Sequence, residues 1–358
     1  MANNTVLYGF VGLEYLFSEK LEDVNVATVQ TAIQLTLEEH NRQIAAATGD
    51  MFAFTEEYKV RFLQPGGGTL QPLDEWGVPL PTRPAGYYDV AFPIRSAGDS
   101  FGANRIAGAL QTVADVNRHL SDVLMRDANW IRRHMLAALL DNTTWSFDDP
   151  AHGTLTIQPL ANGDSVTYPK RSGTMATDTH HLAQAATVAD ATNPFPNIYN
   201  DLSEHPVNAN APIVAYIPSN LRTAVEGLTT FVDVGDPDVQ QGANTATLSG
   251  RIDRGWGDEV IGKVDKVWVV ESGILPDNYI IANARGATPA LWARQYPAAS
   301  LKGLQRKEHD VNGNIMQTMF FRDLGFGAYN RVGAMVYFVA AGDTTYDIPT
   351  GYTNPLAV

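Results

Sequence analysis

A chain of 358 residues is longer than one hydrophobic core usually organises, and 44% apolar with 18% charged residues is a globular mixture that excludes a disordered or fibrous protein. Twenty-five basic against 39 acidic residues leave a net charge of −14 and a pI near 4.9, a field hostile to phosphate backbones that argues against tight free-standing nucleic-acid binding. The lack of cysteine excludes disulfides, thiolate nucleophiles, Cys-ligated zinc and iron–sulfur clusters, and fits a cytosolic birthplace.

The opening MANNTVLYGF has no basic region leading into an apolar one, so no secretory signal is read there. The longest apolar run, residues 332–341, is about half of the roughly 20 residues a bilayer needs, and no membrane association is predicted. In residues 25–48, Val26, Val29, Ile33, Leu37 and Ile44 keep helical spacing up to Gly49, which predicts an amphipathic helix. Residues 52–63 place Phe54, Tyr58, Val60 and Phe62 at mostly alternating positions and predict a strand; residues 87–94 predict a second. Between them, residues 64–86 hold Gly66, Gly67, Gly68, Gly77 and Gly86 with Pro65, Pro72, Pro79, Pro81 and Pro84, so they form a loop.

Residues 106–142 carry the strongest signal. Ile106, Leu110, Val113, Val116, Leu120, Val123, Leu124, Ile131, Met135 and Leu139 predict a helix of about ten turns, roughly 50 Å long at about 1.5 Å per residue. Residues 143–168 return to strand alternation, with turns expected at Asp149-Pro150 and Asn162-Gly163. Residues 179–191 suit a short helix, and PIVAYIP at 212–218 predicts a strand running into Ser219, the expected cap of a helix over 220–227. Residues 233–257 are polar and turn-rich. Strands follow at 259–261, 267–270 and 279–282, the last two joined by turns at Ser272-Gly273 and Pro276-Asp277-Asn278. Asn312-Gly313 between 305–310 and 315–323 marks a hairpin, and 325–340 supplies another strand. There is no internal repeat, and the fold class is α+β.

Motifs for chemistry are scarce. The histidines His40, His119, His134, His152, His180, His181, His205 and His309 form no H-E-x-x-H or H-x-H, and the adjacent His180 and His181 diverge on either a helix or a strand, so no metal site is predicted. Asp233, Asp236 and Asp238 lack the glycine and distal glutamate of a calcium loop and read as a solvated acidic turn. No nucleophile elbow, P-loop or dinucleotide fingerprint occurs, and no helix follows Gly66–Gly68 that could help them cradle phosphate. Arg126, Arg132 and Arg133, with Asp122 four residues before Arg126 and Asp127 beside it, read as a charge-paired solvated face. No catalytic or cofactor-binding residue is predicted and no cofactor. A constellation assembled only by folding stays open, and with it a hydrolase or carbohydrate-active enzyme as an alternative of another class.

A structureless stretch of more than 20 residues inside a domain needs a reason outside that domain. If each flanking strand runs about 8 to 11 residues at roughly 3.3 Å, the tip stands some 25 to 35 Å from its base. There Leu70, Leu73, Trp76, Val78 and Leu80 have no core to enter, and with Tyr87 they are the predicted contacts to a neighbouring subunit.

The order of parts resembles the Hong Kong 97-type fold, the shell subunit of tailed double-stranded-DNA bacteriophages, shared by encapsulins and the floor of herpesvirus capsids. The resemblance covers nearly the whole chain. It is carried by the arm at 52–94, the helix at 106–142, APIVAYIPSNLRTAVEGL at 211–228, GDEVIGKVDKVWVVESGILPDNYIIANA at 257–284 and the terminal RDLGFGAYNRVGAMVYFV. It implies an N-terminal arm (1–51), an extended E-loop hairpin (52–105), a spine helix with the first part of a P-domain (106–178), an A-domain (179–284) and a return of the chain to the P-domain (285–358).

By the same resemblance the subunit self-assembles through overlapping E-loops and A-domain contacts into pentamers and hexamers of an icosahedral shell in the virion. The shell encloses double-stranded DNA without sequence-specific binding and is assembled in the host cytoplasm. Some members weld the arm to its neighbour through a Lys–Asn isopeptide bond. Here the arm's only lysine, Lys59, lies near its base, so closure is expected to be non-covalent, with accessory or decoration proteins as possible partners. Fewer than sixty residues precede the arm, so a separate scaffold chain, a portal and an uncut N-terminus are expected. The acidic balance suits a wall that contains packed DNA without adhering to it. An encapsulin compartment holding protein cargo is the alternative within this architecture.

Overall fold

The computed structural model describes residues 26–48, 51–66, 70, 72–73, 75–79, 86–104, 112–234, 259–311 and 315–354. In chain order they form helix α1 (Val26–Thr48), strands β1 (Phe52–Thr55), β2 (Lys59–Leu63), β3 (Tyr87–Ala91) and β4 (Arg95–Asn104), and helix α2 (Val113–Leu140). Next come β5 (Trp145–Asp149), β6 (Gly153–Ile157), β7 (Asn162–Pro169), β8 (Met175–Thr179), β9 (His181–Ala183), helix α3 (Phe195–Ser203), β10 (Ile213–Ile217), helix α4 (Arg222–Glu226) and β11 (Phe231–Asp233). The chain continues through β12 (Glu259–Val264), β13 (Val267–Glu271), β14 (Tyr279–Ala284), β15 (Leu291–Arg294), β16 (Gln305–Val311), β17 (Ile315–Ala328) and β18 (Ala334–Phe338). No helix among the described residues is long and apolar enough to cross a membrane.

The chain divides into two compact units. One comprises Met1–Ala46, Arg95–Ile131 and Tyr296–Asp323, the other Ala47–Ile94, Arg132–Gln295 and Leu324–Val358. In the first, Ile33 and Leu37 of α1 meet Val116, Leu120 and Val123 of α2, with Leu304 and Phe320 completing the cluster. The spacing of three and four that marked both helices is the stripe they bury. Asp127 sits beneath this cluster, receiving two guanidinium bonds from Arg322 and lying 2.8 Å from His40 Nε2; Arg322 also donates to Asn41 Oδ1 at 2.9 Å. Of the expected charge-paired face, Arg126 pairs with Asp99 of β4 at 2.7 Å, through tertiary structure rather than with Asp122 on its own helix.

The second unit is built on a seven-stranded sheet, ordered β11-β12-β13-β10-β14-β18-β9. Its central strand β10 pairs parallel with β13 and antiparallel with β14, and every residue of β10 is buried. Ile213, Ala215 and Ile217 face Phe195, Ile198 and Leu202 of α3 and Val225 of α4, while Val214 and Tyr216 enter a cluster on the opposite face. Alternate residues thus feed two cores, which is why PIVAYIP is continuously apolar. Two buried arginines brace this unit. Arg294 donates to Asp149 Oδ2 at 2.6 Å and to the Phe92 carbonyl at 3.0 Å. Arg331 donates to Pro159 O at 2.7 Å, Asp164 Oδ2 at 2.8 Å, Asn162 Oδ1 at 3.1 Å and Leu160 O at 3.3 Å.

Several expectations are corrected. Residues 52–63 are two strands: β1 pairs parallel with β15, and the chain breaks at 56–58 before β2 pairs with β3. The spine is described from Val113, 28 residues and about 42 Å long; residues 105–111, with Ile106 and Leu110, lie outside the described residues. No helix forms over 179–191, because residues 181–183 are claimed by β18 as the parallel edge strand β9, and the helix comes later, as α3. Asn162-Gly163 opens β7 at a register irregularity instead of turning the chain. Ser219 starts a short 3-10 turn and makes no side-chain cap. Residues 325–340 divide between β17 and β18, and the Gly-rich β4 and the four-residue β15 escaped the sequence reading. The hairpin of β16 and β17 is present, although residues 312–314 lie outside the described set.

Candidate assembly surface

The arm stands on a short stem. Strands β2 and β3 pair antiparallel from Lys59↔Ala91 to Leu63↔Tyr87, and the amide of Gln64 donates to Gly86 O at 3.1 Å as the last rung. Five residues per strand give about 17 Å of paired stem, shorter than the 25 to 35 Å expected, because β1 belongs to a different sheet.

The stem is anchored through alternate side chains. Phe62 is buried and stacks on Tyr88 with centroids 5.0 Å apart. The Tyr88 hydroxyl donates to Tyr329 O at 3.1 Å and accepts from the Arg331 amide at 3.1 Å, and the Gln64 side chain donates to Thr167 O at 2.9 Å. On the opposite face Arg61 donates to both oxygens of Asp89 at 2.7 and 3.2 Å, and this bond holds the Asp89 carboxyl below its ordinary value. Lys59 also pairs with Asp89, at 3.3 Å, so the arm's lysine is engaged at the base of the stem.

Between Gln64 and Gly86 neither helix nor strand forms among the described residues. Leu70 is 98% exposed and Trp76 86%, and Leu73, Val78 and Tyr87 are exposed as well. Leu80 lies outside the described residues. Tyr87 belongs to the stem, where the Arg61 guanidinium sits 4.0 Å above its ring. Leu63 opposite it is 73% exposed; sequence reading passed over it, although the alternation that buries Phe62 turns Leu63 outward. A loop with this much apolar surface on a braced stem is suited to burial against another molecule.

A second constellation lies in the same unit, away from any expected motif. Asp178 at the end of β8, His180 just before β9 and His205 just after α3 bring one ligand atom each within 4.8 Å of one another. Both imidazoles are buried, with Nε2 atoms 3.4 Å apart. Burial, and next the neighbouring His205, push His180 down to about 4. Residues 25 positions apart give no spacing signal, which is why only the fold assembles this group.

No protein-family model matches the chain, and no curated protein matches it in sequence. Among solved structures, the bacteriophage PhiM1 mature capsid contains a chain similar to it, with a TM-score of 0.50 and 9% identity over 82% of this chain and 86% of that one. The protein therefore has the fold of a phage capsid subunit, the Hong Kong 97-like α+β fold expected from the order of its elements. The likeness extends over the whole length in a structure of Mycobacterium phage Patience, with a TM-score of 0.70 and 17% identity over 99% of this chain and 100% of that one.

Proposed function

We propose that the protein is the major capsid protein of a tailed double-stranded-DNA phage, a structural component of the virion that closes into pentamers and hexamers of an icosahedral shell around the genome. Residues 52–105 act as the E-loop, with Leu70, Leu73, Trp76, Val78, Leu80 and Tyr87 gripping an adjacent copy. Residues 106–178 and 285–358 form the P-domain, residues 179–284 the A-domain around the symmetry axes, and residues 1–51 the N-terminal arm. The observation that carries the reading is the exposed apolar loop on its anchored stem, in a chain whose fold is that of capsid subunits.

Closure is non-covalent, since Lys59 is held by Asp89 at the stem base, and a separate scaffold and a portal complete the assembly line. The net charge of −14 favours an inner wall that confines DNA without adhering to it. Light scattering and electron microscopy of the full chain, expressed alone and with its neighbouring phage genes, test this. Closed particles of many megadaltons are expected, with DNA as their content. A stable monomer or dimer under all conditions refutes the shell, and particles filled with a peroxidase or ferritin-like cargo assign the chain to a protein compartment instead.

A further inference from the structure

The Asp178, His180 and His205 group poses a proton problem. His180 Nδ1 lies 2.7 Å from Ala334 O, and His205 Nδ1 lies 3.2 Å from Pro169 O. A carbonyl oxygen only accepts, so each Nδ1 carries the hydrogen, and each neutral ring is left with a lone pair on Nε2. Those two lone pairs face each other at 3.4 Å, and Asp178 Oδ2, a third electron-rich atom, lies 3.2 Å from His205 Nε2 without a hydrogen-bond donor of its own. These three lone-pair donors lie within 4.8 Å of one another, and a positive charge between them would satisfy all three.

The geometry suits an ion. A metal about 2.0–2.1 Å from two ligands at a tetrahedral angle places them about 3.3–3.4 Å apart, close to the 3.4 and 3.2 Å of the two pairs here, and all three ligand atoms lie within 4.8 Å of one another. Backbone carbonyls on both Nδ1 atoms are the outer partners that orient metal-binding imidazoles. Around the group stand the carboxylates of Asp201 and Glu204, with Glu204 Oε1 4.0 Å from His205 Nε2, against one ammonium, Lys170, which pairs with Glu204 at 2.7 Å and lies 4.0 Å from Asp178 Oδ2. The local excess of negative charge calls for a dication. Asp178 is the least buried of the three, with 15% of its side chain exposed.

We propose that Asp178 Oδ2, His180 Nε2 and His205 Nε2 bind a divalent transition-metal ion, Zn²⁺ by ligand type and geometry, as a structural staple. The ion ties the end of β8 and the start of β9 to the turn after α3. His180 is itself held by backbone bonds, its N–H to Ala161 O at 2.7 Å and its carbonyl to the Val336 N–H of β18 at 2.8 Å, so the staple would tie the turn after α3 to the edge of the seven-stranded sheet.

The test uses the full chain, purified without chelator. Elemental analysis is expected to find one zinc per chain. At free Zn²⁺ about a hundred times Kd, the unfolding midpoint should rise by roughly 3–4 °C over the EDTA-treated protein. Co²⁺ in place of zinc should give the intense visible bands of a tetrahedral site. His205→Gln should abolish these effects. Because a buried substitution can unfold the chain, the part-exposed Asp178→Asn is the second variant, expected to fold and to lose at least about tenfold in zinc affinity. No bound ion and no zinc response in the wild type, or equal responses in wild type and Asp178→Asn, would overturn the site. A midpoint that moves with pH and not with zinc would assign a shared proton to the histidine pair and overturn it equally.

Discussion

Replacing Trp76 with alanine separates assembly from folding. The side chain is 86% exposed, so its removal should leave the unfolding midpoint of the unassembled subunit unchanged, within about 0.5 kcal/mol of stability. In the proposed shell the same side chain would be covered by an adjacent copy. A tryptophan offers roughly 150–250 Å², of which the exposed share is about 130–215 Å²; at about 25 cal/mol per Å² this is worth about 3–5 kcal/mol. Ordering the loop side chain takes back about 0.5–1.5 kcal/mol, leaving about 2–5 kcal/mol per contact, or between about one and four powers of ten in each pairwise constant. The assay is the critical concentration for particle formation, followed by light scattering, with calorimetry of the subunit alongside. Trp76→Phe should recover part of the loss. Particles of Trp76→Ala that form at the same concentration and melt at the same temperature as the wild type would show that the loop is not the grip.

Three further outcomes follow from the interior. Arg331→Leu leaves Asp164, Asn162 and the carbonyls of Pro159 and Leu160 without their shared donor and should cost about 3–5 kcal/mol in chemical denaturation; a change under 1 kcal/mol would mean those acceptors find other donors. At Asp149, burial pushes the carboxyl up, but the bond from Arg294 and the amides of Ala151 and His152 outweigh it and leave it below its ordinary value. Its contribution is therefore fully present above about pH 4, where the unfolded carboxyl is ionised, and is lost as pH falls through the lower folded value. The stability gap between wild type and Asp149→Asn should narrow from pH 7 to pH 3, and a constant gap would remove the ion pair as its source. Gly325→Ala puts a methyl into the carbonyl of Pro93 and should abolish soluble expression, whereas Gly66→Ala, with nothing within 4 Å, should be silent. Equal yields would contradict the close approach of β17 to the chain at Pro93.

The helices were legible because their burial is a periodic property of a short stretch. Ile33, Leu37, Val116, Leu120 and Val123 repeat at three and four and are the residues that enter the first unit's core. The strands around 213–217, 267–271 and 279–284 were legible as apolar runs between turn residues, and the loop at 64–86 as a cluster of Gly and Pro. The β4 strand was hidden because RSAGDSFGAN has little apolar alternation; Gly98 is there because the backbone of Phe320 leaves no room for a larger residue. The edge strand β9 was read as helix because three residues carry too little pattern to outweigh local propensity.

What the amino-acid order determined alone is local: two amphipathic helices, apolar strands, a Gly- and Pro-rich loop between two strands, and a sequence of parts resembling a capsid subunit. Tertiary structure alone decided which strand pairs with which, splitting residues 52–63 between β15 and β3, and it alone joined Asp149 to Arg294, Arg331 to Asp164 and His180 to His205. Periodicity is written within a few turns of chain, whereas pairing and buried charge depend on residues from 25 to more than 200 positions apart, whose meeting no local pattern encodes.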